Sequence, residues 1–335
     1  MSFIMVKHIS KTFKASEKSN TKFATLKDFF NRKYKYIKAI DDISFSIKKG
    51  EIVGYIGPNG AGKSTTIKIL SGILYPDSGT VVIDNMVPYL DRKKYVSQIG
   101  VVFGQRSQLW WDVPAIDSFK LLKDIYKIDD QSFNETLNEL IKTLNLKDII
   151  NIPVSQLSLG SRMRLEIAAA LLHKPKILFL DEPTIGLDAV SKKIVRDFIK
   201  KINKEQKVTI ILTTHDMSDI TSLAKRIILI GKGKKLYDGT LSNLRKNYDY
   251  LRKITVTTND KILLNEEYII EEKIKDGKIE FTIDIRKIEI SKFINYLTNK
   301  ISIIDIDIDS GNIDNVIIKL YEDFKIWNHI FRTLN

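Results

Sequence analysis

The chain has 335 residues, an apolar fraction of 43% and a formal net charge of +13. This length predicts two domains, or one large and one small domain, and the apolar fraction is typical of a folded globular chain. The absence of cysteine excludes disulfides and cysteine-ligated zinc, and no apolar run is long enough (about 18 residues) to span a membrane. Because residues 1–7 are too short and too soon charged for a signal peptide, we expect a cytoplasmic protein.

The positive charge has two interpretations. A basic surface can bind nucleic acid or an anionic membrane, whereas a general enrichment in lysine has no binding role. The basic residues are spread along the chain rather than gathered in one run, which favours the second interpretation.

The chain begins with a predicted strand and a basic insertion. Residues 3–13 mix β-forming and polar side chains and predict a strand with an aromatic residue, Phe13, at its end. The insertion, residues 14–38, carries eight basic and two acidic side chains, and Leu26, Phe29, Phe30 and Tyr34 recur in it at helical spacing. We expect either a basic helix for a membrane or partner surface, or a solvated insertion that covers its own aromatic rings.

A glycine-rich segment follows the strand predicted at 40–47. It consists of Gly57, Pro58, Asn59, Gly60, Ala61, Gly62, Lys63, Ser64 and Thr65. This segment fits G-x-x-x-x-G-K-[ST] and stands between an apolar strand at 51–56 and a predicted helix at 66–70, which is the context of a phosphate-binding loop. Backbone N–H groups and the helix N-terminus there surround an anion. Lys63 can reach the β- and γ-phosphates, and Ser64 can offer a hydroxyl to Mg²⁺.

A triphosphate-binding loop gives the upstream aromatic residues a candidate role. Every nucleotide base offers a π-face, so Phe13 can stack on adenine, and it can equally pack in the core. Tyr34 and Tyr36 are the alternatives for this stack.

Residues 80–84 and 99–103 predict two further strands. Gln105 follows the second strand, where its amide can reach a metal ion or an attacking water. Trp110 and Trp111 are adjacent and point to different sides of the chain, so at least one is expected to be exposed as a protein contact. Apolar stripes between residues 118 and 150 predict a helical subdomain with its own small core.

Another helix start lies at residues 157–161. Ser158 stands where an N-cap belongs, before a helix predicted at 162–173 that is rich in alanine. Such a start is either a second anion site or an ordinary capped helix.

Two carboxylates follow the apolar strand predicted at 176–180. Ligands of open α/β sheets bind at the carboxyl ends of the strands. Asp181 is therefore placed to hold Mg²⁺, and Glu182 to polarise an attacking water. The strand predicted at 208–214 ends at His215 on the same side, which favours contact with a γ-phosphate.

Beyond residue 241 the pattern changes. Alternating segments at 254–258, 279–284 and 303–308 predict strands, and 288–297 and 313–327 predict helices. We expect a small α+β accessory domain at 242–335, with a role in pairing or regulation or as a passive stabilising appendage.

Taken in this order, the motifs between residues 3 and 241 resemble the ATP-binding subunit of an ATP-binding cassette (ABC) transporter, and especially the subunits that serve ABC-2 type permeases. The resemblance implies an α/β fold with a P-loop NTPase (ABC ATPase) domain at 1–241. This domain includes the basic insertion at 14–38 and a helical subdomain at about 106–170, and the small C-terminal α+β domain at 242–335 follows it.

The resemblance also implies roles for individual residues. The catalytic residues are Glu182, His215 and Gln105, and the magnesium ligands are Ser64, Gln105 and Asp181. ATP is bound by Phe13, by the loop Gly57–Thr65, by Asp188 of the D-loop, and by Ser158 and Gly160 of the family signature. The signature departs from the usual pattern at Leu159 and Ser161, where Gly and Gln are common, and Gln108 is a weaker alternative to Gln105.

The resemblance finally implies partners. Two copies pair head to tail, so that each ATP lies between the loop Gly57–Thr65 of one copy and Ser158–Ser161 of the other. The pair drives a separate integral-membrane permease from the inner face of the membrane, and no nucleic acid is expected. The alternative is a soluble ABC ATPase that acts on nucleic acid or ribosomes. The presence of one phosphate loop and the short spacing from Gly62 to Ser158 argue against it.

Overall fold

The structure is a computed structural model that describes most of the chain in two compact units, residues 1–238 and 239–335. The described residues are 2–16, 34–104, 106–214, 216–248, 250–260, 264, 266–275, 277–309, 313, 316, 317, 320, 321 and 324.

The first unit is a mixed α/β structure. Its elements, of which β9 crosses into the second unit, are β1 (Ile4–Ser16), β2 (Tyr34–Ile47), β3 (Ile52–Ile56), α1 (Lys63–Leu70), β4 (Ser78–Ile83), α2 (Arg92–Val96), β5 (Ile99–Phe103), α3 (Ala115–Tyr126), α4 (Asp130–Thr143), α5 (Leu159–Ala169), β6 (Ile177–Asp181), α6 (Ala189–Gln206), β7 (Thr209–Thr213), α7 (Met217–Leu223), β8 (Arg226–Gly231) and β9 (Lys234–Thr240). A single 3₁₀ turn at Val154–Gln156 precedes α5.

The larger sheet of this unit positions the candidate site. Its strand order is β5-β6-β7-β3-β8-β9, and the neighbours from β5 to β8 are parallel. Strands β6 and β7 are buried almost throughout, as expected for parallel strands covered on both faces. Asp181 at the end of β6 pairs with Phe103 of β5 and with Thr213 of β7, so the three strands end at one edge.

The smaller sheet, with the order β2-β1-β4, is antiparallel and includes both ends of the predicted basic insertion. The helical interpretation of Tyr34 is wrong, because this residue pairs with Ser16 in the β1–β2 ladder. Backbone pairing and the β-forming side chains of this segment outweigh the helical spacing of its aromatic residues. The rest of the predicted stripe, at residues 17–33, lies outside the described residues.

Helices α3, α4 and α5 lie in the region predicted as the helical subdomain. Helix α4 begins at an aspartate N-cap and buries Phe133, Leu137 and Leu140 along one face. Ser158 is the N-cap of α5, where its Oγ accepts a hydrogen bond from the Ser161 N–H at 3.2 Å, so that prediction is confirmed. The expected exposure of the tryptophan pair is also confirmed, because both rings are exposed.

The second unit has an antiparallel sheet with the order β11-β12-β10-β13. Its elements are α8 (Leu241–Tyr248), β10 (Leu251–Thr257), β11 (Ile269–Lys275), β12 (Lys278–Asp284), α9 (Ile290–Thr298) and β13 (Asp305–Ile308). The charged strand β11 was not predicted, because its apolar residues do not alternate over its whole length. The helix predicted at 313–327 lies mostly outside the described residues.

The buried rings of Phe281 and Phe293 lie edge to face in the core of the second unit, with centroids 5.5 Å apart. Within the part of the chain that the structure describes, none of the helices combines the length and apolar character needed to cross a bilayer.

We expect Phe281→Ala to lower the unfolding free energy of the second unit by about 3–5 kcal/mol, because it removes buried apolar surface and leaves a cavity. Ile304→Ala is the control, since that side chain is 63% exposed and its truncation should change stability by at most about 0.5 kcal/mol. Urea denaturation of the full chain, with hydrogen exchange followed in β10 and β12, measures both. Equal effects of the two substitutions would contradict this description of the core.

Candidate functional site

The glycine-rich loop surrounds a buried lysine at the start of α1. The Lys63 side chain is only 6% exposed, and its Nζ donates to the carbonyl oxygens of Gly57 at 2.7 Å and Pro58 at 3.3 Å. Burial lowers the pKa of Lys63, and the charges of Glu182 and Asp181 oppose that shift. The ammonium group is therefore held at the loop, in surroundings where a phosphate oxygen is strongly attracted to it.

The turn into α1 requires glycine. Gly62 has a φ of 107°, and a Cβ at this position would lie 2.4 Å from the carbonyl oxygen of Ala39. Thr66, in the first helical turn of α1, stabilises this connection. Its N–H donates to the Gly62 carbonyl at 2.9 Å, and its hydroxyl contacts Tyr55 Oη at 3.0 Å. The glycine that the sequence pattern requires at position 62 therefore corresponds to a backbone with no room for a side chain.

Thr213 of the neighbouring strand holds both the Asp181 carboxylate and the backbone of Glu182. Thr213 Oγ1 donates to Asp181 Oδ1 at 2.5 Å and accepts from the Glu182 N–H at 3.1 Å. The Glu182 N–H also donates to the Thr213 carbonyl at 3.0 Å. Glu182 has a φ of 56°, a left-handed conformation that is uncommon outside glycine and persists where the surroundings fix it.

A single pocket of about 810 Å³ brings the loop, the carboxylates and Phe13 together. Its lining includes residues 58–65, Asp181 and Glu182. The lining residues for which the sequence predicts no role in a site are Ile37, Ala39, Lys68, Ile73, Phe103, Gly104, Arg106 and Ile185. Ile37 lies opposite Phe13 in the β1–β2 ladder, a pairing that the sequence pattern of the insertion does not reveal. The other lining residues belong to segments that are distant in sequence and meet only in the folded chain, so no local pattern predicts them.

The donor atoms of this pocket fit magnesium. Ser64 supplies a hydroxyl and Asp181 a carboxylate, and Mg²⁺ in phosphate sites takes one or two such protein oxygens together with phosphate oxygens and water. Over the described ranges, no group of three or more His, Cys, Asp and Glu side chains is arranged to hold a metal. The pocket therefore suits a metal that binds together with a polyphosphate.

Ser158, Gly160 and Asp188 form a second cluster that does not line this pocket. A Cβ at Gly160 would lie 2.4 Å from Ser191 Oγ, so glycine allows the start of α5 to approach the start of α6. Asp188 is the N-cap of α6 and accepts hydrogen bonds from the Ser191 N–H at 2.9 Å and Oγ at 2.8 Å. These bonds lower the pKa of Asp188. Gly160 and Asp188 thus have a packing role within their own chain.

Two predicted catalytic residues, Gln105 and His215, lie outside the described residues. The alternative residue Gln108 points to α5 instead of the pocket, since its Nε2 donates to the Glu166 carbonyl at 2.9 Å. Its N–H donates to the Glu166 carboxylate at 3.1 Å, and burial raises the pKa of that carboxyl.

Known proteins resemble the part of the chain that contains the phosphate loop and the two carboxylates. The sequence model of the family described as ABC transporter matches residues 40–185. The chain is 33% identical over 232 residues to the ABC transporter ATP-binding protein NatA of Bacillus subtilis (strain 168), and the alignment covers 67% of this chain and 94% of NatA. It is 29% identical over 295 residues to the linearmycin resistance ATP-binding protein LnrL of the same organism, covering 84% of this chain and 93% of LnrL.

A solved structure extends this similarity to the fold. The ATP-binding cassette MJ0796, a dimer in a post-hydrolysis state bound to ADP and Pi, is similar with a TM-score of 0.60 and 28% identity, over 71% of this chain and 98% of that chain. The predicted P-loop NTPase fold is thereby confirmed. The chain belongs to the ABC transporter family, as an ATP-binding subunit that hydrolyses ATP. This follows from the family match, the similarity to NatA and the structural likeness taken together.

Proposed function

We propose that the chain powers an ABC-2 type exporter, as a homodimer that acts on a separate membrane permease. The observation that carries the chemical part of this proposal is that the phosphate loop, Asp181 and Glu182 line one pocket. The similarity to a relative named for linearmycin resistance supports export as the direction of transport.

Within one copy, the proposed roles follow the chemistry of each group. Lys63 and the backbone N–H groups of the loop bind the β- and γ-phosphates. The Glu182 carboxylate takes a proton from the attacking water as general base. When Mg²⁺ is bound by Ser64 and Asp181, with Gln105 as a further ligand, it supplies positive charge at the phosphate oxygens. His215 is proposed to contact the γ-phosphate.

Across the dimer, the start of α5 is proposed to complete the site of the other copy. Ser158 and Gly160 do not line the pocket of their own chain, and they begin a helix whose N-terminus suits an anion. The dimeric state of the similar cassette MJ0796 supports this arrangement. Asp188, at the start of the adjoining helix, is proposed to lie at the same interface.

We expect Glu182→Gln to lower kcat for ATP hydrolysis by a factor on the order of 10² or more, because the amide cannot take up the proton. ATP binding should survive, and a dimer should accumulate with ATP and Mg²⁺ in size-exclusion chromatography. Lys63→Ala is the matched control, which should lose binding and the dimer together. Hydrolysis at the wild-type rate in Glu182→Gln would refute the assignment of the general base.

A second prediction concerns the residue that stacks on the adenine ring of ATP. Phe13 lines the pocket, whereas Tyr36, which is 67% exposed, does not. Phe13→Ala should weaken ATP binding by about 1–3 kcal/mol, the usual contribution of a ring stacked on a base. Tyr36→Ala and Tyr34→Ala should leave the Kd unchanged. Calorimetric titration with ATP measures all three, and a larger loss in Tyr34→Ala would assign the stack to that ring instead.

A third prediction concerns the permease. The full chain, expressed in its own cell and purified from solubilised membranes, should copurify with a protein that has several membrane spans. Trp110→Ala should reduce the recovery of this partner, because an exposed tryptophan is a typical contact anchor, whereas Ile125→Ala at another exposed position should not. Recovery of ribosomes or DNA without a permease would favour the alternative function, a soluble ABC ATPase.

A further inference from the structure

A fully buried carboxylate lies behind the edge of the sheet that carries Glu182. Asp219 of α7 is 0% exposed and is not part of the lining of the nucleotide pocket. Its Oδ1 accepts a hydrogen bond from Arg196 Nε at 2.6 Å, and the two side chains form an ion pair. A buried charge needs such a partner. The ion pair explains how Asp219 is tolerated, but the second oxygen of the carboxylate has other partners.

That second oxygen, Oδ2, joins two segments of the chain. The hydroxyl of Thr184 donates to it, and so does the hydroxyl of Thr214, at 3.0 Å. Both threonines are buried. Thr184 follows Glu182 by two residues, and Thr214 follows Thr213, whose hydroxyl contacts both Asp181 and Glu182.

The backbone of Glu182 makes these two attachments important. Its left-handed φ of 56° is an unfavourable conformation for this residue type. On one side, Thr213 holds the Glu182 N–H through two hydrogen bonds. On the other side, the Glu182 carbonyl accepts a hydrogen bond from the Ile185 N–H at 3.3 Å, and the first side chain to anchor the segment is Thr184, through its bond to Asp219. Loss of that bond lets the segment after Glu182 relax to a more common conformation, which would move the carboxylate.

We propose that Asp219 is a positioning residue for ATP hydrolysis. By accepting hydrogen bonds from the hydroxyls of Thr184 and Thr214 on one oxygen, it holds the segments after β6 and β7 in a single arrangement, and so keeps the Glu182 carboxylate aimed at the attacking water. This inference rests on the proposed role of Glu182 as general base.

The helices around this bond are also held together by contacts that do not include Thr184. Helices α6 and α7 remain joined by Arg196 and Asp219, and also by Lys192, whose Nζ donates to Asp216 Oδ2 at 2.6 Å. Burial of Asp216 acts to raise its pKa, but the hydrogen bonds from Lys192 and Ser218 outweigh it and lower the pKa to about 2. These ion pairs do not involve the threonine hydroxyls, so substitutions of Thr184 are expected to fold.

The test compares Thr184→Val with Thr184→Ser in the full chain. Valine keeps the shape but removes the hydroxyl, and serine keeps the hydroxyl. Thr184→Val should lower kcat about tenfold with a KM for ATP within about twofold, because the phosphate loop is untouched. Thr184→Ser should restore most of the kcat. Thr221→Val is the matched control on α7, where the hydroxyl donates only to the Ser218 carbonyl at 3.2 Å, and it should leave kcat unchanged.

A readout independent of activity is hydrogen exchange. Thr184→Val should speed amide exchange in residues 182–187 and leave exchange within β6 unchanged. If Thr184→Val does not fold, the pair Thr214→Val and Thr214→Ser decides with the same readouts.

The outcomes separate this inference from the proposed function. Full turnover in Glu182→Gln would reject the general base, and the positioning role would fail with it. An inactive Glu182→Gln beside a fully active Thr184→Val with unchanged exchange would reject only the role of Asp219. Equal loss of kcat in Thr184→Val and Thr184→Ser, or parallel changes in kcat and KM, would also overturn it, because the hydroxyl would then not be the cause.

Discussion

The site depends on the parallel register of β5, β6 and β7. Asp181 pairs with Phe103 on one side and Thr213 on the other, so that the three strands end together. The two carboxylates and the threonine hydroxyl therefore meet in one place, beside the loop that follows β3 in the same sheet. A slip of β6 by one residue would turn its side chains to the opposite face and take Asp181 out of the pocket.

The phosphate loop and the carboxylates could be predicted because their requirements are local. The turn at Gly62 admits no Cβ, and a buried strand that ends in two acids is visible in a short stretch of sequence. The strand at Tyr34 could not be predicted this way, because it depends on pairing with Ser16, a residue distant in sequence. The link from Thr184 to Asp219 likewise joins residues 35 positions apart, so no short stretch of sequence predicts it.

The residues assigned to ATP from the sequence fall into two groups in space. One group surrounds the pocket, and the other, at the starts of α5 and α6, packs together away from it. This separation is what a site shared between two copies requires. Gly160 and Asp188 also have a structural role that does not depend on nucleotide, because both lie against Ser191.

In the proposed function, a triphosphate is held between the loop around Lys63 and the carboxylates at the end of β6. The most direct measurement is a crystal structure of the Glu182→Gln chain grown with ATP and Mg²⁺. We expect Lys63 Nζ to contact the terminal phosphates, the metal to lie between Ser64 and Asp181, and Ser158 of a second copy to reach the same nucleotide. A nucleotide bound far from Lys63 and Asp181 would contradict it.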